Sequence, residues 1–398
     1  WRIQRDWFYD QGMHGVDWQT VFDKYQPLVA FCGNRSDLNY LIGEMIGELN
    51  IGHTYVYGGD YGDRPRRVRV GLLGADFDTP EGAAFHRIAH VIPGLNWQSN
   101  SSERSPLATP GCGVEDGDFL IAIDGVEVGS ADNVFAHLED KVGRAVEIST
   151  NGTSSAEGAS ICTVEPIGHE YTVRRREWVE NNRIAVDKAS GGSIGYLYLP
   201  AMMENGLIEF ARAFYPDYQK TAFIIDERYN GGGFVGDMII DRLERQLWAF
   251  TQPREGIVLR DPERNFHGHL AVLINEETGS NGEYFAEAIK IKGLATLIGM
   301  RTWGGAVGIE PHQDLVDGGG TTPPQFGIFD FEGRWLIEGH GVEPDIEVQN
   351  EPGDVLAGRD AQLEAALAHL ADRLAEDPMT VPDSPPEFPN KAKATIAR

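Results

Sequence analysis

Apolar positions in the first 66 residues recur every three or four places. Trp18, Val21, Phe22, Tyr25, Leu28 and Val29 make one stripe; Leu38, Leu41, Ile42, Met45, Ile46 and Leu49 make another. That period predicts two amphipathic helices, the first capped by Asp17, the second opening near Ser36-Asp37 and closing at Asn50. Residues 52–57 turn strand-like, and the glycine-rich stretch 58–65 reads as a loop and a boundary. From about 67 to 168 the pattern shortens to strands and turns: 67–73, 85–91, 119–128 and 145–150, with a short helix at 133–138. Asp124-Gly125 between two apolar runs is a hairpin signal. The polar stretch 96–104 reads as a mobile insertion. From about 170 to 375 apolar strands alternate with helical patterns. Strands are expected at 194–199, 222–226, 270–274, 295–300, 326–330 and 335–338, and helices at 207–215, 239–247, 283–290 and 362–374.

The expected fold is multidomain, α+β and α/β. A helical segment (1–66) precedes a small β domain (67–168) and an α/β-layered core (169–376). The tail, 377–398, is Pro-rich and expected to be disordered.

Charge narrows the function. The 398-residue chain carries a formal net charge of −27, which argues against nucleic-acid and anionic-membrane partners. No run approaches the roughly 20 apolar residues of a membrane span. Cys32, Cys112 and Cys162 are odd in number and far apart. They read as neither a disulfide framework nor a metal cluster, and they favour a reducing, cytoplasmic location. A periplasmic location is the alternative if an export signal was removed. The chain opens at Trp1 without an initiator Met, so it reads as a fragment or a processed chain.

The candidate chemistry lies at 271–283, AVLINEETGSNGE. A buried strand stops at an acidic turn, then Gly279-Ser280-Asn281-Gly282, and a helix follows. Ser280 at such a turn suits a helix cap, and equally a nucleophile beside free N–H groups. Two further landmarks end neighbouring strands: Asp226-Glu-Arg-Tyr-Asn-Gly-Gly-Gly233 and Arg301-Thr-Trp-Gly-Gly305. The glycines there would let a backbone approach a ligand. No Gly-Lys-Ser/Thr follows them, so a phosphate loop is not indicated. All three landmarks fall at one sheet edge, where α/β sites assemble. His14, His86, His90, His137 and His340 form no pairing that suggests a metal.

The stretch 105–128, with "SPL" and "GCGVEDGDFLIAIDGVEV", resembles a PDZ domain. The order of segments resembles the family of serine peptidases that includes the C-terminal processing peptidases. "MHGVDWQTVFDKYQPLV", "LIGEMIGELNIGHTYVYGGD", "DERYNGGGFV", "RTWGGAVGI" and "IEGHGVEPDIEV" resemble its tricorn branch, from near Trp1 to about Asn350. The resemblance implies a peptidase using an acyl-enzyme, with Ser280 as nucleophile, His53 as base and Glu338 as its support. The oxyanion donors would be the N–H of Asn281 and that of Gly232 or Gly233. Gly305 stands where the processing peptidases carry a lysine base. Gly52 stands where the tricorn branch carries a relay serine, which leaves Thr54, a water or a direct His53–Glu338 contact for that task. The resemblance also implies oligopeptide substrates, no cofactor, no metal, a homo-oligomer (a hexamer) and propeller domains ahead of this region. The same α/β core also serves in retinoid carriers, so a catalytically weak or silent binding module is the alternative.

Overall fold

The computed structural model describes residues 1–63, 65–97, 103–310 and 314–389. Most of the expected polar insertion and the last nine residues of the expected disordered tail lie outside them. Residues 377–389 contain no helix or strand. Two compact units divide the chain: residues 63–184, and residues 1–62 together with 185–398.

The first unit is built on an antiparallel sheet. Its strands are Ala75–Asp78, His86–Val91, Phe119–Ile123, Val146–Asn151 and Ser160–Val164, with Val126–Glu127 returning against Phe119–Ile123. Asp124 and Gly125 both take positive φ, 49° and 75°. A two-residue hairpin needs that backbone, and Gly supplies half of it without strain. Ile88, Leu120, Ile123, Leu138, Val146 and Ile148 close the core beneath. Asn133 caps a short 3-10 turn, Val134–Leu138, through the N–H of Phe135.

Two expectations are corrected in this unit. Residues 67–73 form no strand; Val70 and Leu72 each make a single pairing, to Glu139 and Ile167. Two partners at alternate positions cannot build one ladder. Cys112 and Cys162 are not free thiols but a disulfide, with Cα atoms 5.1 Å apart and Cys32 left over. Fifty residues of separation hid a proximity that only the folded sheet creates.

The second unit centres on a five-stranded parallel sheet. In spatial order its strands are Ile346–Glu347, Thr296–Gly299, His269–Ile274, Ala222–Asp226 and Ile194–Tyr198. The three central strands are buried along almost their whole length, as in sheets covered on both faces. Phe210 and Phe214, Ile239 and Ile240, and Phe285 and Ile289 come from three helices and pack on that sheet. All strands are parallel, so their carboxyl ends share one edge.

The N-terminal helices belong to this same unit. Asp17 caps Trp18–Tyr25 by accepting the N–H groups of Gln19 and Thr20. The second helix runs Arg35–Gly47 and is capped by Asn34, so it starts earlier than the pattern predicts. Phe8, Met13, Trp18, Val21, Ile46 and Leu49 bury its inner face. The strand Tyr55–Gly58 then pairs antiparallel with Gly319–Thr322, with Tyr55 opposite Thr322. Arg35 fastens the far end of that pair through a 2.5 Å ion pair to Asp317. Of the late strands expected at 326–330 and 335–338, only Phe326 lies in a strand, the short Pro324–Phe326 paired antiparallel with Gly308–Ile309, and the rest reduces to one bridge, Phe329 to Trp335. A 20-residue helix, Tyr171–Ser190, was not foreseen.

Candidate active site

Ser280 follows the strand His269–Ile274 and begins the helix Asn281–Ile291. Its φ of 55° and ψ of −123° lie outside the regions a β-carbon favours. Such strain persists only where the surroundings enforce it, and here they are visible. The carboxylate of Glu283 accepts the Ser280 N–H at 3.1 Å, and the Ser280 carbonyl accepts the Tyr284 N–H at 3.1 Å.

A glycine lies against the serine. A β-carbon added to Gly232 would come within 2.5 Å of Ser280 Cβ and 2.8 Å of the Asn281 nitrogen. Only a bare backbone fits. Gly232 donates its own N–H to Asn230 Oδ1 at 2.9 Å. Among the described residues, the N–H groups of Gly233 and Asn281 have no acceptor. Met202 holds this turn in place: its N–H goes to Gly232, and its carbonyl takes the N–H groups of Phe234 and Val235.

His53 sits ahead of the strand Tyr55–Gly58, at the apex of a tight turn closed by the Thr54 N–H on the Gly52 carbonyl. The residue is 9 % exposed. Nδ1 lies 2.5 Å from the Val307 carbonyl. A carbonyl only accepts, so Nδ1 carries hydrogen and the neutral ring leaves Nε2 bare. Tyr55 and Trp303 meet the ring edge-on, with centroids 5.9 and 5.8 Å away. Trp303 also backs the serine turn. Its N–H donates to the Thr278 carbonyl at 3.0 Å, and a β-carbon on Gly279 would lie 3.0 Å from its indole. No hydrogen bond joins Ser280 Oγ to His53 among the described residues.

Among the described residues, no hydrogen bond or ion pair joins Glu338 to the imidazole. Its carboxylate accepts the N–H groups of Gly52 at 3.0 Å, Ala306 at 2.8 Å and Val307 at 3.0 Å. It therefore clamps the residue before His53 and the segment whose carbonyl holds His53. Thr54, expected as a relay, is directed elsewhere: its hydroxyl donates to the Thr322 carbonyl at 2.8 Å. At Gly305, a β-carbon would lie 2.3 Å from the Trp303 ring. A lysine at that position would have to displace the indole.

Glu283 is a member that the sequence reading missed. It is fully buried and accepts the Thr302 hydroxyl at 2.6 Å, Gly304 N–H at 2.6 Å and Gly305 N–H at 2.9 Å, besides that of Ser280. Burial raises its titration, and these four donors oppose the rise. The serine-to-glutamate spacing of three is a capping-box signature, so a signal existed. Its reach to 302–305 was not legible.

The class that this fold defines, by its likeness to known proteins, is that of the serine peptidases. Residues 193–348 match the family model described as peptidase family S41; residues 71–169 match the tricorn protease PDZ domain and residues 1–47 the tricorn protease C1 domain. The chain belongs to that family, in its tricorn branch. It is 35% identical over 97% of its length to tricorn protease homolog 1 of Streptomyces coelicolor, covering 36% of that protein. It is 34% identical over 94% of its length to tricorn protease of Thermoplasma acidophilum, covering 34% of it. The crystal structure of the tricorn protease matches 94% of this chain and 36% of that chain, with 33% identity and a TM-score of 0.86. The chain thus spans about a third of the length of these relatives. No helix among the described residues is long and apolar enough to cross a membrane.

Proposed function

We propose that this chain hydrolyses oligopeptides through an acyl-enzyme, with Ser280 as nucleophile and His53 as base. The observation that carries the reading is the strained Ser280 turn, pressed on Gly232, with the neighbouring N–H groups of Gly233 and Asn281 without an acceptor among the described residues. Ser280 Oγ attacks the peptide carbonyl and passes its proton to His53 Nε2. The carbonyl oxygen gains the negative charge and is met by the Gly233 and Asn281 N–H groups. Gly232 is set aside as a donor because its N–H is spent on Asn230. The intermediate collapses, His53 returns the proton to the leaving amine, and the acyl group stays on Ser280. Water repeats the sequence and frees the acid. Glu338 supports His53 indirectly, by fixing the carbonyl that receives its Nδ1–H.

Labelling by a fluorophosphonate tests this. Ser280 should be modified at neutral pH, not at all in Ser280→Ala, and at least 100-fold more slowly in His53→Ala. An unlabelled wild-type chain would leave the silent binding module as the better reading. We further propose a homo-oligomer, a hexamer by analogy with the tricorn branch, which native mass spectrometry would count. The Cys112–Cys162 disulfide favours an oxidising compartment over the cytoplasmic location expected from cysteine spacing. Alkylation of the natively produced chain should then find one free thiol, on Cys32; three would restore the cytoplasmic reading.

A further inference from the structure

Glu227 follows the strand Ala222–Asp226 and opens the turn that leads to Gly232 and Gly233. None of it reaches solvent. Neither carboxyl oxygen has a hydrogen-bond partner among the described residues. Its backbone, in contrast, is fully engaged. The N–H donates to the Leu273 carbonyl at 3.0 Å, and the carbonyl accepts from Asn230 N–H and from Thr278 Oγ1, both at 3.1 Å. Glu227 therefore ties the glycine turn to the segment that delivers Ser280.

The charged groups around it are few and already committed. Asp226, from its own strand, holds the Tyr196 hydroxyl and the Arg228 guanidinium. Arg228 faces Asp226 and Asp360. Glu283, from the helix Asn281–Ile291, holds four donors. Asp226 and Glu283 are near enough to act on its charge, and of the three carboxyl groups only Glu227 lacks a donor among the described residues. A buried carboxylate with nothing to solvate it is the costliest state available, so the proton belongs on Glu227. Burial first, then Asp226, then Glu283 push its titration well above the ordinary glutamate range.

We propose that Glu227 is a positioning residue kept as the neutral acid beneath the nucleophile turn, and that loss of its proton reversibly disables the site at alkaline pH. The proposal rests on reading Ser280 as the nucleophile. Ionisation would set a third negative charge beside Asp226 and Glu283, and admitting water along 227–230 is the simplest relief. That would loosen Asn230, whose carbonyl accepts the Gly279 N–H and whose side chain accepts the Gly232 N–H, both at 2.9 Å. Both walls of the oxyanion site would shift.

Two measurements test it. The first is the fluorophosphonate labelling rate from pH 6 to 11 for wild type, Glu227→Gln and Glu227→Leu, each scaled to its own maximum. The wild-type rate should fall reversibly at alkaline pH, and the fall should vanish or move up by at least one pH unit in both variants. An identical fall in all three, or none in wild type, overturns the proposal. The second is urea unfolding from pH 5 to 9, which needs no catalysis. The unfolded chain releases this proton near pH 4.3, while the folded chain keeps it. The unfolded state then binds fewer protons, so wild-type stability declines with rising pH. Relative to Glu227→Gln, the folding constant should drop about tenfold per pH unit until the folded acid ionises. If the Gln variant does not fold, the Leu variant serves. Parallel stability curves overturn the proposal. If wild type is never labelled, the nucleophile reading falls, yet the stability comparison still decides whether Glu227 is neutral.

Discussion

Glu338 accepts three main-chain N–H groups, from Gly52, Ala306 and Val307. A glutamine there would present an amide to at least one of those donors and leave it unsatisfied, at about 1–3 kcal/mol. Glu338→Gln should therefore keep its circular dichroism and lose about 10–100-fold in turnover. Unchanged hydrolysis of a fluorogenic peptide would remove Glu338 from the mechanism. A β-carbon on Gly52 would lie 3.4 Å from Glu338 Oε1, an ordinary contact, so the backbone there tolerates a β-carbon. At this scale the sequence was informative about identity and poor about contact. Ser280, His53 and Glu338 stand out by motif. The preference for Gly233 over Gly232 depends on where the Asn230 side chain turns, which no spacing encodes. Thr54 looked available until the paired strand supplied Thr322 as its acceptor.

Between residues 302 and 307, one loop is held by two carboxylates in turn. Glu283 takes Thr302, Gly304 and Gly305; Glu338 takes Ala306 and Val307. The first carboxylate also holds the Ser280 N–H, and the loop's last carbonyl holds His53. Ser280 and His53 are thereby referenced to one short stretch of chain. Glu283→Ala would strand several buried donors. We expect a loss of about 2–4 kcal/mol in urea unfolding, with Ser280 labelling slowed more than tenfold; wild-type values for both would show the loop to be held otherwise. The parallel strands that frame this loop were readable as apolar runs. The helix Tyr171–Ser190 was not: Val173 and Val186 are its only hydrophobic side chains in the buried core, too sparse for a stripe. The late strands failed because Ile337 is buried in a turn with φ 69°, not in a ladder.

Taken whole, the chain is two units in which one interrupts the other: residues 63–184 separate Trp1–Gly62 from the core it folds with. That the N-terminal helices pack into the peptidase unit could not be seen, because the pairing of Tyr55–Gly58 with Gly319–Thr322 spans most of the sequence. Within the inserted unit, the disulfide closes a loop of 50 residues. Cys112→Ser should lower that unit's stability by about 3–4 kcal/mol, read as an earlier melting transition; wild type in reductant should match the variant. The interruption also sets a timetable. Gly52 and Glu338 are 286 positions apart, and a ribosome adding about 5–20 residues per second needs roughly 15–60 s to cover that stretch. Throughout that interval the clamp that orients the histidine has not been made. On the proposed mechanism, a nascent chain therefore carries an unoriented base, and Ser280 should label slowly with a fluorophosphonate, until residue 338 has been made.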